Sequence, residues 1–337
     1  MKIGRREFLG IAGALALGSA VAVYSKGEAS PLKKESSQII EGGDEEKTQT
    51  PEKEERIEII LTGDVMLGRT VTTESLDKQK NPAHPFRKVV PTLKEADLVF
   101  VNLENPIVKD CPRTYEGLRF CAPPEMLEGL SVAEVDIVTL ANNHAGNYGT
   151  QGLEQTVKYL NERNIAATGR GELVTKEVKG VKFGFLGLDY SSIYSPTFED
   201  YDLVSESKPK VDVLIVGIHW SGEYYSEPTE IQRRDARRLI EAGADVIAGQ
   251  GPHWVIDKEY IYGKPVYYSL GNFVFDQMWS EETRRGLAVK LIFQGAKLIG
   301  DEHLPIYIDS WAQPEFVEPT VTPEPEINKS PKTHFAE

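Results

Sequence analysis

The sequence predicts an α/β fold. Short apolar, partly β-branched runs alternate with amphipathic helical patterns. Several of those runs end in a residue of metal-ligand type, as expected of strands that deliver side chains to the crevice outside their carboxyl ends. The length, 337 residues, holds one large α/β domain with tails, or two modest ones, at roughly 150 residues per domain.

Composition narrows the chemistry. A net charge of -14 and a pI near 5.1 offer no basic stripe to displace phosphate counterions, which excludes a nucleic-acid binder. With two cysteines, Cys111 and Cys121, neither a thiolate zinc site nor a disulfide-dense scaffold is expected. Of the six histidines, His144, His219 and His253 close apolar runs, whereas His84, His303 and His334 do not.

In chain order, residues 1–30 read as a twin-arginine export signal. Arg5 and Arg6 precede Phe8 and Leu9, and an apolar run extends from Ile11 to Val23. The run is too short and Gly-rich to favour a stable membrane span, although retention by an uncleaved signal is the alternative. Residues 31–56, rich in Lys, Glu, Ser, Gly and Pro, read as a solvated acidic linker, and residues 314–337 as a disordered tail. The folded body is expected over 57–313.

The body opens on a strand, Ile57 to Leu61, that leads into Gly63-Asp64. Residues 85–96 have helical spacing. The run from Asp97 then delivers Asn102 and Glu104. Between Cys111 and Cys121 a bridge or two free thiols are open, and an exported chain meets an oxidising compartment that favours the bridge. The stretch from Asp136 to Gly149, DIVTLANNHAGNYG, brings Asn142, Asn143 and His144 to a strand end; an Asn-rich turn is the plain alternative. A helix is expected over 151–163, a strand over 180–189, and a polar loop able to cover a site over 191–210. The run from Val211 ends in His219, with Trp220 and Glu223 beyond. Thr229 and Gln232 have capping-box spacing ahead of a helix that stops at Gly243. The next strand end carries Gly249, Gly251 and His253, and a strand over 266–270 leads to Asn272 and Asp276. Two strands in hairpin order follow over 285–298.

Gathered at one crevice, Asp64, Glu104, Asn143, His144, His219 and His253 mix oxygen donors with imidazoles, a set suited to Mn, Fe or Zn rather than Ca. Two such ions roughly 3.5 to 4 Å apart, sharing a carboxylate, can clamp a phosphoryl group, and Glu104 is the bridging candidate. The chain has no Walker loop, GxSxG elbow or HExxH motif.

In order along the chain, GDVMLGR, NLEN, ANNHAGNYG, HWSGEY, GQGPHW and YSLGNFVFD resemble the CapA (PGA_cap) family of poly-γ-glutamate capsule synthesis proteins, over roughly 57–293. The resemblance implies a four-layer α/β/β/α sandwich of the metallophosphatase type with a two-metal site. It implies Asp64 and His253 as ligands of one ion, Glu104 as the bridge, and Asn143 and His219 as ligands of the other. His144 would then protonate the leaving group, and Trp220, Glu223 and Asn272 would line a substrate cleft. Two departures from the metallophosphoesterase pattern stand out. Met66 and Gly251, the latter beside Gln250, occupy positions where those enzymes carry histidines, which puts full two-ion occupancy in doubt.

Three functions are open at this level: an exported metal-dependent hydrolase, a non-catalytic accessory that binds an anionic polymer such as poly-γ-glutamate or a membrane synthase complex, and a metal-assisted amide hydrolase or transferase. Arg69 and Lys264 are the local bases that would attract a polyanion.

Overall fold

The computed structural model describes residues 55–192 and 195–318. The residues read above as an export signal, and most of those read as linker and tail, lie outside the described residues. The strands, in chain order, are β1 (Arg56–Val65), β2 (Leu98–Leu103), β3 (Ile137–Thr139), β4 (Ala166–Thr168), β5 (Val174–Val178), β6 (Val181–Asp189), β7 (Val213–His219), β8 (Val246–Gln250), β9 (Val255–Ile261), β10 (Lys264–Leu270), β11 (Asn272–Val274), β12 (Arg285–Gln294), β13 (Lys297–Ser310) and β14 (Gln313–Phe316).

They form two sheets. The first runs β14-β13-β12-β1-β2-β3-β4, with β11 also paired to β1, and the second runs β5-β6-β7-β8-β10-β9. The parallel members β1 to β4, and β6, β7, β8 and β10, are those whose carboxyl ends face the site; β5, β9, β12, β13 and β14 pair antiparallel.

Strand alternation assigns each apolar residue to one face. Ile57, Ile59 and Leu61 of β1, with Phe100 and Ile137, meet Phe183, Phe185, Ile215 and Tyr267 between the sheets. Ile60, Val99, Val101 and Val138 point the other way, onto Leu160 and Phe86. On the far face of the second sheet Leu186, Leu214, Val216 and Ile247 pack on Ala236, Leu239 and Ile240 of the helix Glu230–Ala242 and on Val204 of the helix Phe198–Ser207. Three apolar interlayers separate four layers of secondary structure, so the α/β/β/α sandwich is present.

The Thr229 capping box forms, with the Thr229 N–H donating to Gln232 Oε1 at 2.8 Å and the Gln232 N–H to Thr229 Oγ1 at 3.2 Å. Other expectations need correction. Residues 85–96 are broken into one 3₁₀ turn, His84–Phe86, and one α turn, Val90–Leu93, because Pro85 and Pro91 each remove a backbone donor. The segment 191–210 is no simple lid: it contains the helix Phe198–Ser207, capped by Thr197 and anchored on the outer core through Val204. Arg56, assigned to the linker, opens β1, and Phe316, assigned to the tail, closes β14.

Cys111 and Cys121 are joined in a disulfide across a separation of 10 residues. Closing a loop of that length removes unfolded-state entropy worth roughly 2–3 kcal/mol. Cys111→Ser is therefore expected to lower unfolding free energy by about that amount in urea under oxidising conditions; an unchanged midpoint would mean that the bond contributes nothing.

Candidate metal centre

Each site residue is placed by the end of a buried strand. Asp64 lies near the end of β1, where the backbone pairs with β2 and β11 at Asn102 and Asn272. Its Oδ1 accepts from Asn102 Nδ2 at 2.8 Å, and its Oδ2 lies 3.1 Å from His253 Nδ1. Glu104, just past β2, is fully buried, and neither of its carboxylate oxygens has a hydrogen-bond partner among the described residues. One ligand atom from each of Asp64, Glu104 and His253 fits within 4.8 Å of the others.

His253 sits in the turn after β8 with φ 61. Its Nδ1 also lies 2.9 Å from Asn272 Oδ1, whose own Nδ2 donates to Gln277 Oε1 and the Thr283 carbonyl. Both neighbours of Nδ1 are acceptors, so that nitrogen carries the proton. Asn272 is thus buried with its amide committed to the protein: it positions His253 and does not line a cleft, contrary to expectation.

His219, at the end of β7, is buried with its Nδ1 3.3 Å from Asn102 Nδ2. Since that amide donates, Nδ1 accepts. The ring's other nitrogen faces Gly251, where an added Cβ would lie 3.1 Å from His219 Nε2 and 2.5 Å from the Trp220 carbonyl. At φ 101 a histidine side chain has no room at this position, so the departure from the metallophosphoesterase pattern is built into the packing. Met66 departs for a different reason. Its sulfur accepts from the Gly68 N–H at 3.1 Å and lies in the outer apolar cluster.

Of the two neighbouring amides, Asn142 is buried and Asn143 is exposed. Asn142 Nδ2 donates to Asn102 Oδ1 and to the Leu103 carbonyl, each at 2.9 Å, while its Oδ1 accepts from the N–H groups of His144 and Ala145. The structure therefore seats Asn142, not the expected Asn143, in the buried network. Asn142→Ala is expected to cost about 1–3 kcal/mol by orphaning those groups. Asn143→Ala should stay within about 0.5 kcal/mol, and equal urea midpoints for the two variants would reverse the assignment.

His144 Nε2 approaches Glu104 Oε1 to 4.0 Å. Its Nδ1 lies 3.1 Å from Asn147 Oδ1, and that oxygen already accepts from the Phe120 N–H at 2.6 Å. Nδ1 is accordingly the protonated nitrogen, and Nε2 faces the site. Phe120 stacks on the imidazole at 3.8 Å, with the Arg69 guanidinium over it at 4.4 Å. Sequence reasoning missed Asn147 and Phe120; the Asn three residues after His144 was the only available signal.

Electrostatics show what the cluster lacks. Burial, reinforced by the Asp64 carboxylate, pushes Glu104 well above its ordinary pKa. Burial also acts against a charged His253, but Glu104 and Asp64 outweigh it and raise the imidazole to about 9. Burial raises Asp64 too, yet His253, His219 and the Asn102 amide bring it below its usual value. His219, buried and only partly offset by Asp64, falls to about 4. An orphaned buried carboxylate beside a second carboxylate and an imidazole fits a divalent ion of the Mn, Fe or Zn kind.

The remaining candidates divide. Glu223 is exposed at the rim. Trp220, in contrast, is 2% exposed and packs on Tyr190 at 5.9 Å; one residue past His219, alternation turns it to the helical face, away from any cleft. Nor are the two local bases free to attract a polyanion: Arg69 is paired with Asp276, and Lys264 with Asp245 at 3.0 Å.

The model described as "Bacterial capsule synthesis protein PGA_cap" matches residues 58–277. The "PGA biosynthesis protein CapA" of Bacillus subtilis (strain 168) is 30% identical over 263 residues, covering 69% of this chain and 68% of that protein. The "Capsule biosynthesis protein CapA" of Bacillus anthracis is 29% identical over 255 residues, covering 67% of this chain and 61% of that one, less than two thirds of its length. A crystal structure of a hypothetical protein from Thermus thermophilus superposes with a TM-score of 0.50 at 15% identity, over 74% of this chain and 98% of the other, a likeness of fold alone. By the matched family model and the Bacillus relatives, the chain belongs to the bacterial capsule synthesis protein PGA_cap family.

Proposed function

We propose that this chain is an exported, extracytoplasmic capsule synthesis protein. In this reading it acts in making, exporting or anchoring an anionic polymer such as poly-γ-glutamate, through a metal-dependent phosphoesterase-type site. The observation that carries the proposal is the buried, unpartnered carboxylate of Glu104 between Asp64 and His253. A carboxylate kept dry and unpaired destabilises a fold unless a cation meets it.

Asp64, Glu104 and His253 would hold a divalent ion, which supplies Lewis-acid polarisation of a phosphoryl oxygen. The donor set serves one ion. A second would need His219 to release Asn102, and neither Met66 nor Gly251 adds a ligand. Asn102 and Asn272 orient the donors, as second-shell partners do in metal sites. His144, with its Nδ1 proton held by Asn147, presents Nε2 for proton transfer to a leaving oxygen. Burial lowers its pKa, which makes the protonated ring a stronger acid. The Arg5-Arg6 pair ahead of an apolar run and the Cys111–Cys121 bridge support the export reading.

A second reading, a polymer-binding or synthase-associated accessory with a degenerate site, is favoured by Met66 and Gly251. Elemental analysis of the full chain after loading with Mn²⁺, Fe²⁺ or Zn²⁺ separates the two. The enzyme reading expects retained metal that His253→Ala loses, and hydrolysis of bis(p-nitrophenyl) phosphate that Glu104→Gln loses. No retained metal would leave the accessory.

A further inference from the structure

Beside the metal-centre residues, a cluster of aromatic rings is held in place at some conformational expense. Tyr224 has φ 63 and His253 φ 61, left-handed backbone at two residues that are not glycine; such strain persists where the surrounding structure enforces it, often at working sites. The two rings stack at 5.9 Å and 29°. Tyr224 is held further by its N–H, which donates to the Pro252 carbonyl at 2.9 Å, and by Gln277 Nε2, which donates to its hydroxyl at 3.1 Å.

Against Tyr224 stands Trp279, at 83° and 4.8 Å between centroids, with 60% of its surface exposed. Trp254 lies on another side at 6.4 Å, and its buried Nε1 donor has no partner among the described residues. Holding an ion requires neither Tyr224 nor Trp279 nor Trp254. Trp279 sets a large exposed indole beside this polar site, a side chain of the kind enriched at binding surfaces.

We propose that the corner formed by Tyr224 and Trp279 is a subsite for a sugar ring. The substrate of the neighbouring centre would then be a phosphoester that carries a carbohydrate on one side. This rests on the phosphoesterase reading above. A nucleobase is gripped best between parallel faces, whereas these two rings meet near a right angle. A pyranose suits that corner: its polarised C–H face lies on the negative face of one ring and its edge against the other. The exposed carboxylate of Glu223 can accept from its hydroxyls, and the same carboxylate repels a bare polyglutamate chain. Aromatic walls with a few convergent polar groups are the usual make-up of a small-molecule site.

The test uses the full chain without added metal, titrated with cellotriose, glucose 1-phosphate, AMP and tri-γ-glutamate and followed by tryptophan fluorescence and saturation-transfer NMR. Both sugars are expected to bind, Trp279→Ala to weaken them about tenfold, and Trp279→Phe to recover most of the loss. Unchanged sugar affinity in Trp279→Ala would overturn the proposal, as would AMP or tri-γ-glutamate binding through Trp279 in preference to the sugars. Hydrolysis of bis(p-nitrophenyl) phosphate by metal-loaded protein is scored separately. Sugar binding without hydrolysis would sink the phosphoesterase reading and keep the subsite; hydrolysis without sugar binding would do the reverse.

Discussion

Glu104→Gln is expected to make the metal-free protein more stable while abolishing its stabilisation by divalent ions. The wild-type carboxylate is fully buried and unpaired, and leaving such a group unsatisfied costs about 1–3 kcal/mol, more if it is charged. The amide stays polar but never ionises and has nearly the same volume, so the gain is expected where the wild-type carboxyl would be charged. For a body of this size that corresponds to a rise of about 2–4 °C in Tm per kcal/mol. Ligand binding stabilises a fold in proportion to the logarithm of ligand concentration over Kd, so the metal-dependent Tm increment should vanish in the variant.

The pH dependence gives the sign independently. A carboxyl whose folded pKa is raised contributes stability that is complete below its unfolded value, near 4.5. That contribution is lost as pH rises through the folded value. Metal-free wild type should therefore lose stability on the alkaline side of pH 4.5, and Glu104→Gln should lose less. A variant less stable than wild type without metal, or one that keeps its metal increment, would refute this account of the centre.

The second large effect lies between the sheets. Phe100 of β2 is fully buried, its ring centroid 5.4 Å from that of Phe185. It points at Gly217 of β7, where an added Cβ would come within 2.9 Å of the ring. The missing side chain at Gly217 is the hole that this ring fills. Phe100→Ala should cost about 3–5 kcal/mol, and Gly217→Ala about 1–3 kcal/mol from overpacking. Because the two sites touch, the double variant Phe100→Leu with Gly217→Ala should cost less than the sum of its single changes. Urea denaturation measures all three, and a loss below about 1 kcal/mol for Phe100→Ala would mean that the cavity collapses freely.

Much of the fold was legible because buried parallel strands write themselves as apolar runs, and helices on their outer faces as one apolar stripe. The same logic picks out Asp64, Glu104, His219 and His253, which the structure places at or near the ends of such strands. It failed where a single residue decides the face. Asn142 and Asn143 are chemically identical neighbours, and which of them turns inward depends on the loop. Trp220 follows His219, but alternation sends it into the opposite core. The family resemblance puts Asn272 in the cleft, whereas pairing across the sheet makes it the partner of His253. Tyr224, Trp279, Asn147 and Phe120 meet their partners through folded loops, which leave no periodic trace. The prolines at 85 and 91 were visible, but the apolar spacing around them outweighed their effect on backbone donors.

The position of β1 in the first sheet also constrains when the protein can mature. Ile57, at the start of the body, pairs with Phe293 near its end, and Asp64 pairs with Asn272. During synthesis the amino-terminal strand emerges long before those partners exist. The first sheet cannot close until the ribosome has made nearly the whole body, and Asp64 and Glu104 likewise wait for His253, which follows β8. Closure of the first sheet is therefore a late step in the folding of this body, because its central strand waits for partners that are made last.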